Sequence, residues 1–217
     1  MKKIIVVLSI VFLSFPIVGQ NSQEAKSLLD EVATRVESYK NIQLEFIHKL
    51  DNNDADVHQQ TRGNVSLEGD LYHLNYMGTE QIFDGNKIYL IIHEDEEVII
   101  QDPSTTEEET LTPSKMFSFY KNGFAYEMDK LKTIKGIKIQ YVKLTPLESD
   151  SEIKQILVGI DVKTKHIYNI IEIGENNTVT TLEVRTFKTN QPISENLFKF
   201  DLEKFKNQKN YTISEPN

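Results

Sequence analysis

The sequence predicts a mainly β protein: an antiparallel sheet of about ten or eleven strands, one long N-terminal helix and one short helix in mid-chain. Two observations carry this. Between Gly63 and His93, apolar residues recur at every second position: Val65 and Leu67, then Tyr72, Leu74 and Tyr76, then Ile88, Leu90 and Ile92. That alternation is the mark of strands buried on one face. Moreover, strand follows strand with no helical segment between them from Asn41 to Ile100, which argues for a meander rather than βαβ units.

The first element in the chain is not part of this fold. Met1-Lys2-Lys3 is a basic start, Ile4–Phe15 is apolar apart from Ser9 and Ser14, and Pro16-Ile17-Val18-Gly19 leads into the polar Gln20-Asn21. This order predicts a secretory signal peptide over residues 1–20, cleaved near Gly19/Gln20, since the apolar run is too short to span a membrane. A single exported, periplasmic domain over residues 21–217 is expected to follow.

Residues Ser22–Lys40 read as an amphipathic helix. Asn21 or Ser22 is placed to cap it, with Glu24 three residues after Asn21. Ala25, Leu28, Leu29, Val32, Ala33 and Val36 fall on one stripe, and Lys26, Asp30, Glu31 and Arg35 lie off it. Next, Ile42, Leu44 and Phe46 alternate with Gln43 and Glu45, and His48 shares the apolar parity. Turns are expected at Asp51–Asp54, Asp84-Gly85-Asn86 and Glu94–Glu97, and an acidic surface loop over Asp102–Thr112.

Thr112-Pro113 predicts the start of a short helix, ended by Gly123. Met116, Phe117, Phe119 and Tyr120 crowd its two turns, so it must enter another element's apolar surface. Strands resume over Tyr126–Leu131, Ile137–Thr145, Ile153–Asp161, Ile167–Ile173 and Val179–Phe187. Phe198 and Phe200 anchor the C-terminal segment, and the polar tail from Asn207 is expected to fray.

Composition narrows the function classes. The chain has no cysteine, which excludes disulfides, thiolate catalysis and thiolate metal sites. Removing Lys2 and Lys3 takes the formal charge from −9 to −11, a poor balance for nucleic acid or anionic membranes. His48, His58, His73, His93 and His166 lack metal-pair spacing, and no nucleophile elbow or phosphate loop is present. No enzyme activity, metal or cofactor is therefore expected. Binding fits better, because two helices are few to cover the apolar face of so long a sheet. A guest with hydrocarbon chains suits such a face, each buried CH₂ being worth about 0.8 kcal/mol.

In this order the chain resembles the LolA family, the periplasmic outer-membrane lipoprotein carriers of Gram-negative bacteria. The resemblance rests on helix Ala25–Tyr39 running into Ile42–Phe46, and on Gly63-Asn64-Val65 followed by Ile82-Phe83-Asp84-Gly85-Asn86-Lys87-Ile88-Tyr89. It continues through Thr112-Pro113, Leu144-Thr145-Pro146, Ile153–Asp161 and the closing Phe198-Lys199-Phe200. It implies an unclosed antiparallel β-barrel with helices as a lid over an acyl-chain cavity. The implied wall is Leu44, Phe46, Leu67 and Tyr72, then Leu74, Tyr76, Ile88 and Leu90, and Tyr141 from the second half. Met116, Phe117, Phe119 and Tyr120 are the implied lid. The implied partners are lipoprotein cargo, an inner-membrane ATP-driven transporter and an outer-membrane acceptor, with the carrier a monomer.

One position departs from the family. Proteobacterial members hold their lid with an arginine just after the third strand, where this chain has Leu67-Glu68-Gly69-Asp70. Two other readings fit the same residues: a carrier of another lipid or an envelope-stress sensor on this architecture, and a hydrolase using two carboxylates. The last needs two acidic groups in one pocket.

Overall fold

The computed structural model describes residues 17–103 and 113–215. The acidic stretch 104–112, the Thr112 cap and residues 1–16 of the expected signal peptide lie outside them. Helix α1 (Ile17–Glu37) begins earlier than the capping pattern predicts. Asn21 Oδ1 accepts the backbone N–H of Met128, so the expected cap instead fastens the helix to a strand. Ala25, Leu29, Val32 and Ala33 are buried along the expected stripe. Full burial of Leu29 and of Val32 contributes about 1.5–3 kcal/mol each.

Twelve strands form one sheet. The first six make the expected meander: β1 (Ile42–Asn52), β2 (Val57–Glu68), β3 (Leu71–Tyr76), β4 (Thr79–Phe83), β5 (Ile88–Ile92) and β6 (Glu97–Gln101). The second run is β7 (Phe124–Ile134), β8 (Ile137–Pro146), β9 (Ile153–Asp161), β10 (Ile167–Gly174) and β11 (Val179–Thr189), with β12 (Thr212–Ser214) near the C-terminus. Their order is β12-β6-β5-β4-β3-β2-β1-β11-β10-β9-β8-β7. The two runs meet where β1 pairs with β11, and the end strands β12 and β7 do not pair, so the sheet stays unclosed.

The join is fastened at one end by Asn41, a polar residue only 2% exposed. Its Oδ1 accepts Gln191 N–H and its Nδ2 donates to Gln191 O, both at 2.9 Å. Its carbonyl accepts Asn190 N–H. A buried amide is tolerated because its hydrogen bonds are made.

The mid-chain helix is not a continuous α-helix. It is two 3₁₀ turns, Lys115–Phe117 and Phe119–Lys121, closed by Ser118 N–H to Lys115 O and Lys121 N–H to Ser118 O. Two tight turns direct Met116, Phe117, Phe119 and Tyr120 to different neighbours, which one short amphipathic face would not do.

The main core lies on the concave face, between the sheet, α1 and these turns. A second core lies on the convex face. Ile82, Ile91, Val98 and Ile100 are buried there under Phe205, with Phe200, Tyr211 and Ile213 packed alongside. The tail is therefore ordered through Ser214, contrary to the expected fraying: Thr212–Ser214 pairs in parallel with β6. The apolar residues of β4–β6 on the face away from the main core require this cover.

Candidate binding cavity

The register of the sheet builds a cavity of about 360 Å³ on the concave face, under the lid turns. Its walls follow the cross-strand pairs in rows. The row nearest the lid contributes Tyr72 and Ile88, with Pro113 and Met116 above. The next is Leu44, Val65, Leu74 and Gln81, successive partners on β1–β4. Phe46 and Tyr76 form the third, through Gly63. His48, Leu182 and Ile170 form the fourth, and Thr180 with Glu172 the last.

Gly63 is required in that third row. A Cβ there would stand 2.4 Å from Phe46 Cζ, so the bare backbone is what lets the ring lie across β2. Phe46 and Tyr76 rings sit 5.8 Å apart, and the Tyr76 hydroxyl lies 2.8 Å from His48 Nδ1. Burial pushes the His48 pKa down and the Tyr76 pKa up, so both are neutral near pH 7. Tyr72 is 1% exposed, and its hydroxyl has no hydrogen-bond partner among the described residues. Burial pushes its pKa up to about 12.

The structure brings most of the expected wall together. Leu44, Phe46, Tyr72, Leu74, Tyr76 and Ile88 all line the cavity. Leu67 shares their face but is packed into the core that α1 also buries. Leu90 stands on the same row as Leu74 and Gln81, one strand beyond the wall. Tyr141 does not belong there. Val142 pairs with Val158 and faces the main core, so its neighbour Tyr141 points to the convex side and covers Gly159. The alternation Ile137, Ile139, Tyr141 gave one apolar face, but Val142 and Leu144 give β8 a second, and that second face is concave.

The lid residues divide by role. Met116 lines the cavity. Phe117 meets Phe187 edge-on at 6.4 Å and Phe119 meets Phe124 at 6.1 Å. Tyr120 is buried and donates its hydroxyl to Asp30 Oδ1 on α1 at 3.0 Å. Lys26 donates to Asp30 Oδ2 at 2.7 Å, and Tyr126 donates to Tyr120 O at 2.8 Å. The Lys26 bond, followed by that of Tyr120, holds the Asp30 carboxyl below the usual range. Burial first, then Asp30, raises the Tyr120 pKa. A tyrosine–carboxylate hydrogen bond thus joins the 3₁₀ turns to the helix.

Sequence reasoning named neither Gln81, Ile170, Glu172, Thr180 nor Leu182 as wall residues. Two other unnamed wall residues did give a signal: His48, on the apolar parity of β1, and Val65, on that of β2. The remaining histidines serve the fold: His58 is 2.9 Å from Asp51, His73 Nδ1 is 3.0 Å from Leu197 O, and His93 Nδ1 is 3.1 Å from Tyr211 Oη. His166 stacks on Phe187 at 3.9 Å. Among the described residues, no cluster of histidine and acidic groups could hold a metal ion. Glu172 is the one acidic residue among the wall residues described.

No family model and no curated protein matches the chain in sequence. In three dimensions it is similar to an uncharacterized conserved protein from Thermus thermophilus, with a TM-score of 0.61 and 10% identity over 89% of this chain and 100% of that one. The fold is an unclosed β-barrel. That is the architecture the sequence resemblance implied, with twelve strands where ten or eleven were expected. Two further solved structures align at lower scores. One is a domain named for outer membrane lipoprotein sorting from Vibrio parahaemolyticus, with a TM-score of 0.45 and 11% identity over 82% and 97% of the chains. The other is a LolA superfamily protein from Nitrosomonas europaea, with a TM-score of 0.42 and 10% identity over 81% and 97%.

Proposed function

We propose that this protein is a periplasmic carrier that holds the acyl chains of lipoproteins in the cavity under the lid turns and moves them from inner to outer membrane. The observation that supports it is the cavity itself: most of its wall is apolar side chains, set between a one-faced sheet and a short segment tied to α1 by the Tyr120–Asp30 bond. An acyl chain of about 16 carbons needs about 12 kcal/mol of compensating burial to leave a bilayer. Leu44, Phe46, Val65, Leu74 and Ile88 offer that burial, and Met116 closes it.

At about 360 Å³ the closed cavity is near the lower end of the range for ligand sites, about 300–1,000 Å³. Multi-chain cargo therefore enters by displacing Pro113 and Met116, with the 3₁₀ turns swinging from α1. In this reading residues 1–20 direct export and are removed, and residues 21–217 work as a monomer without cofactor. Loading is from an inner-membrane ATP-driven transporter and delivery is to an outer-membrane acceptor.

The test is mass spectrometry of what co-purifies with the exported protein from its own cells. Acylated peptides or lipoproteins are the expected finding. Recovery of a different lipid class would favour a carrier of other lipids on this fold, and protein that stays empty in the presence of lipoprotein would refute the carrier reading.

A further inference from the structure

The cavity is not apolar throughout. Its end away from the lid gathers His48, Tyr76, Thr180 and Glu172, while no lysine or arginine is among the wall residues described. From these positions we infer that the site takes an amphiphile whose polar end is uncharged or cationic, seated against His48, Tyr76 and Glu172, and that it discriminates against a free carboxylate on the same chain. This rests on the carrier reading and adds to it the chemistry of the guest's polar end.

The hydrogen-bonding capacity of that end is specific. Tyr76 Oη lies 2.8 Å from His48 Nδ1, and with both groups neutral we assign the phenol, the stronger acid, as the donor. In a neutral imidazole this places the remaining proton on Nε2, which has no hydrogen-bond partner among the described residues. An ester or amide carbonyl is the group that a lone N–H donor would take. Glu172 and Thr180 are direct partners on β10 and β11, one pair beyond Ile170 and Leu182. The carboxylate of Glu172 forms no hydrogen bond or ion pair among the described residues and accepts from a hydroxyl, an amide N–H or an ammonium. It lines the same cavity as His48 and Tyr76, so it borders the space where a head would sit. An anionic head would meet that carboxylate with no cation among the wall residues described to offset it.

The experiment compares three C16 probes at pH 8 by displacement of a bound fluorescent fatty-acyl reporter: monopalmitoylglycerol, hexadecylamine and palmitate, each below its aggregation threshold. The neutral and cationic probes are expected to bind about tenfold or more tighter than palmitate, the scale of one unfavourable buried charge contact. Glu172→Gln, which keeps shape and removes charge, is expected to narrow that gap, and Glu172→Lys to reverse it. Equal affinities for all three probes, or a gap untouched by both substitutions, would overturn the inference while leaving the carrier reading in place. Failure of every probe to bind would remove both.

Discussion

Tyr120 donates its hydroxyl to Asp30 Oδ1 across 3.0 Å, joining the lid turn to the long helix. The donor is buried and the acceptor is half exposed on the helix surface. Removing the hydroxyl in Tyr120→Phe should therefore leave the fold intact and cost about 1 kcal/mol, since water can take over at Asp30. That loss falls on the closed lid, so release of a bound acyl probe is expected to speed up several-fold while thermal unfolding shifts little. Stopped-flow release measured beside calorimetry checks it, and unchanged release would show that the bond does not hold the lid.

The same pair sets a pH window. Asp30 has a depressed pKa, so its contribution is complete above the ordinary carboxylate value and lost as pH falls through the lower folded value. Tyr120 has a raised pKa, so its contribution is complete below the ordinary phenol value and is lost as pH rises through the higher folded value. Release should be flat between about pH 5 and pH 9, and should accelerate below about pH 4 as Asp30 protonates and again well above about pH 10 as Tyr120 ionises. A release profile with a midpoint between pH 6 and pH 7 would assign gating to another group.

Phe46 lies across Gly63, and a methyl group added there would strike the ring. Gly63→Ala is expected to tilt Phe46 into the cavity, lowering acyl affinity and destabilising the fold by about 1–3 kcal/mol. Isothermal titration and denaturant unfolding on one preparation separate the two effects.

Tyr72 carries a buried hydroxyl without a partner among the described residues. Tyr72→Phe removes that group at constant shape, so stability should hold or rise by up to about 1 kcal/mol. A clear loss of stability in urea unfolding would mean that the hydroxyl is satisfied in solution.

Phe205 covers Ile91 and Val98 on the convex face. Phe205→Ala should cost about 3–5 kcal/mol by opening that second core. Hydrogen exchange would then rise first in β5, β6 and β12, with β8 and β9 still protected.

Much of this arrangement was legible in the sequence, because side-chain parity fixes the face of a strand. Leu74 and Ile88 reach the cavity wall for the reason that they alternate with polar residues in a meander. Tyr141 misled because β8 is buried on both faces, and period two cannot say which apolar face is concave. Glu172 and Thr180 gave no sign, since they reach the site by pairing on β10 and β11, far in sequence from β1. The C-terminal tail from Asn207 reads as polar because only Tyr211 and Ile213 in it are large and apolar, and its order comes from their packing and from pairing with β6. The lid tie was out of reach for the same kind of reason. Asp30 lies off the buried stripe of α1, and only the folded chain brings Tyr120 to it.

The central claim is that acyl chains occupy the concave cavity, and photo-crosslinking tests it most directly. A palmitoylated lipopeptide with a diazirine in its acyl chain would be bound, irradiated and mapped by mass spectrometry. Adducts are expected on Leu74, Ile88 and Met116, and they should fall when Leu74→Trp fills the space. Adducts confined to the convex face around Tyr141 and Phe205, or none above an unbound control, would contradict it.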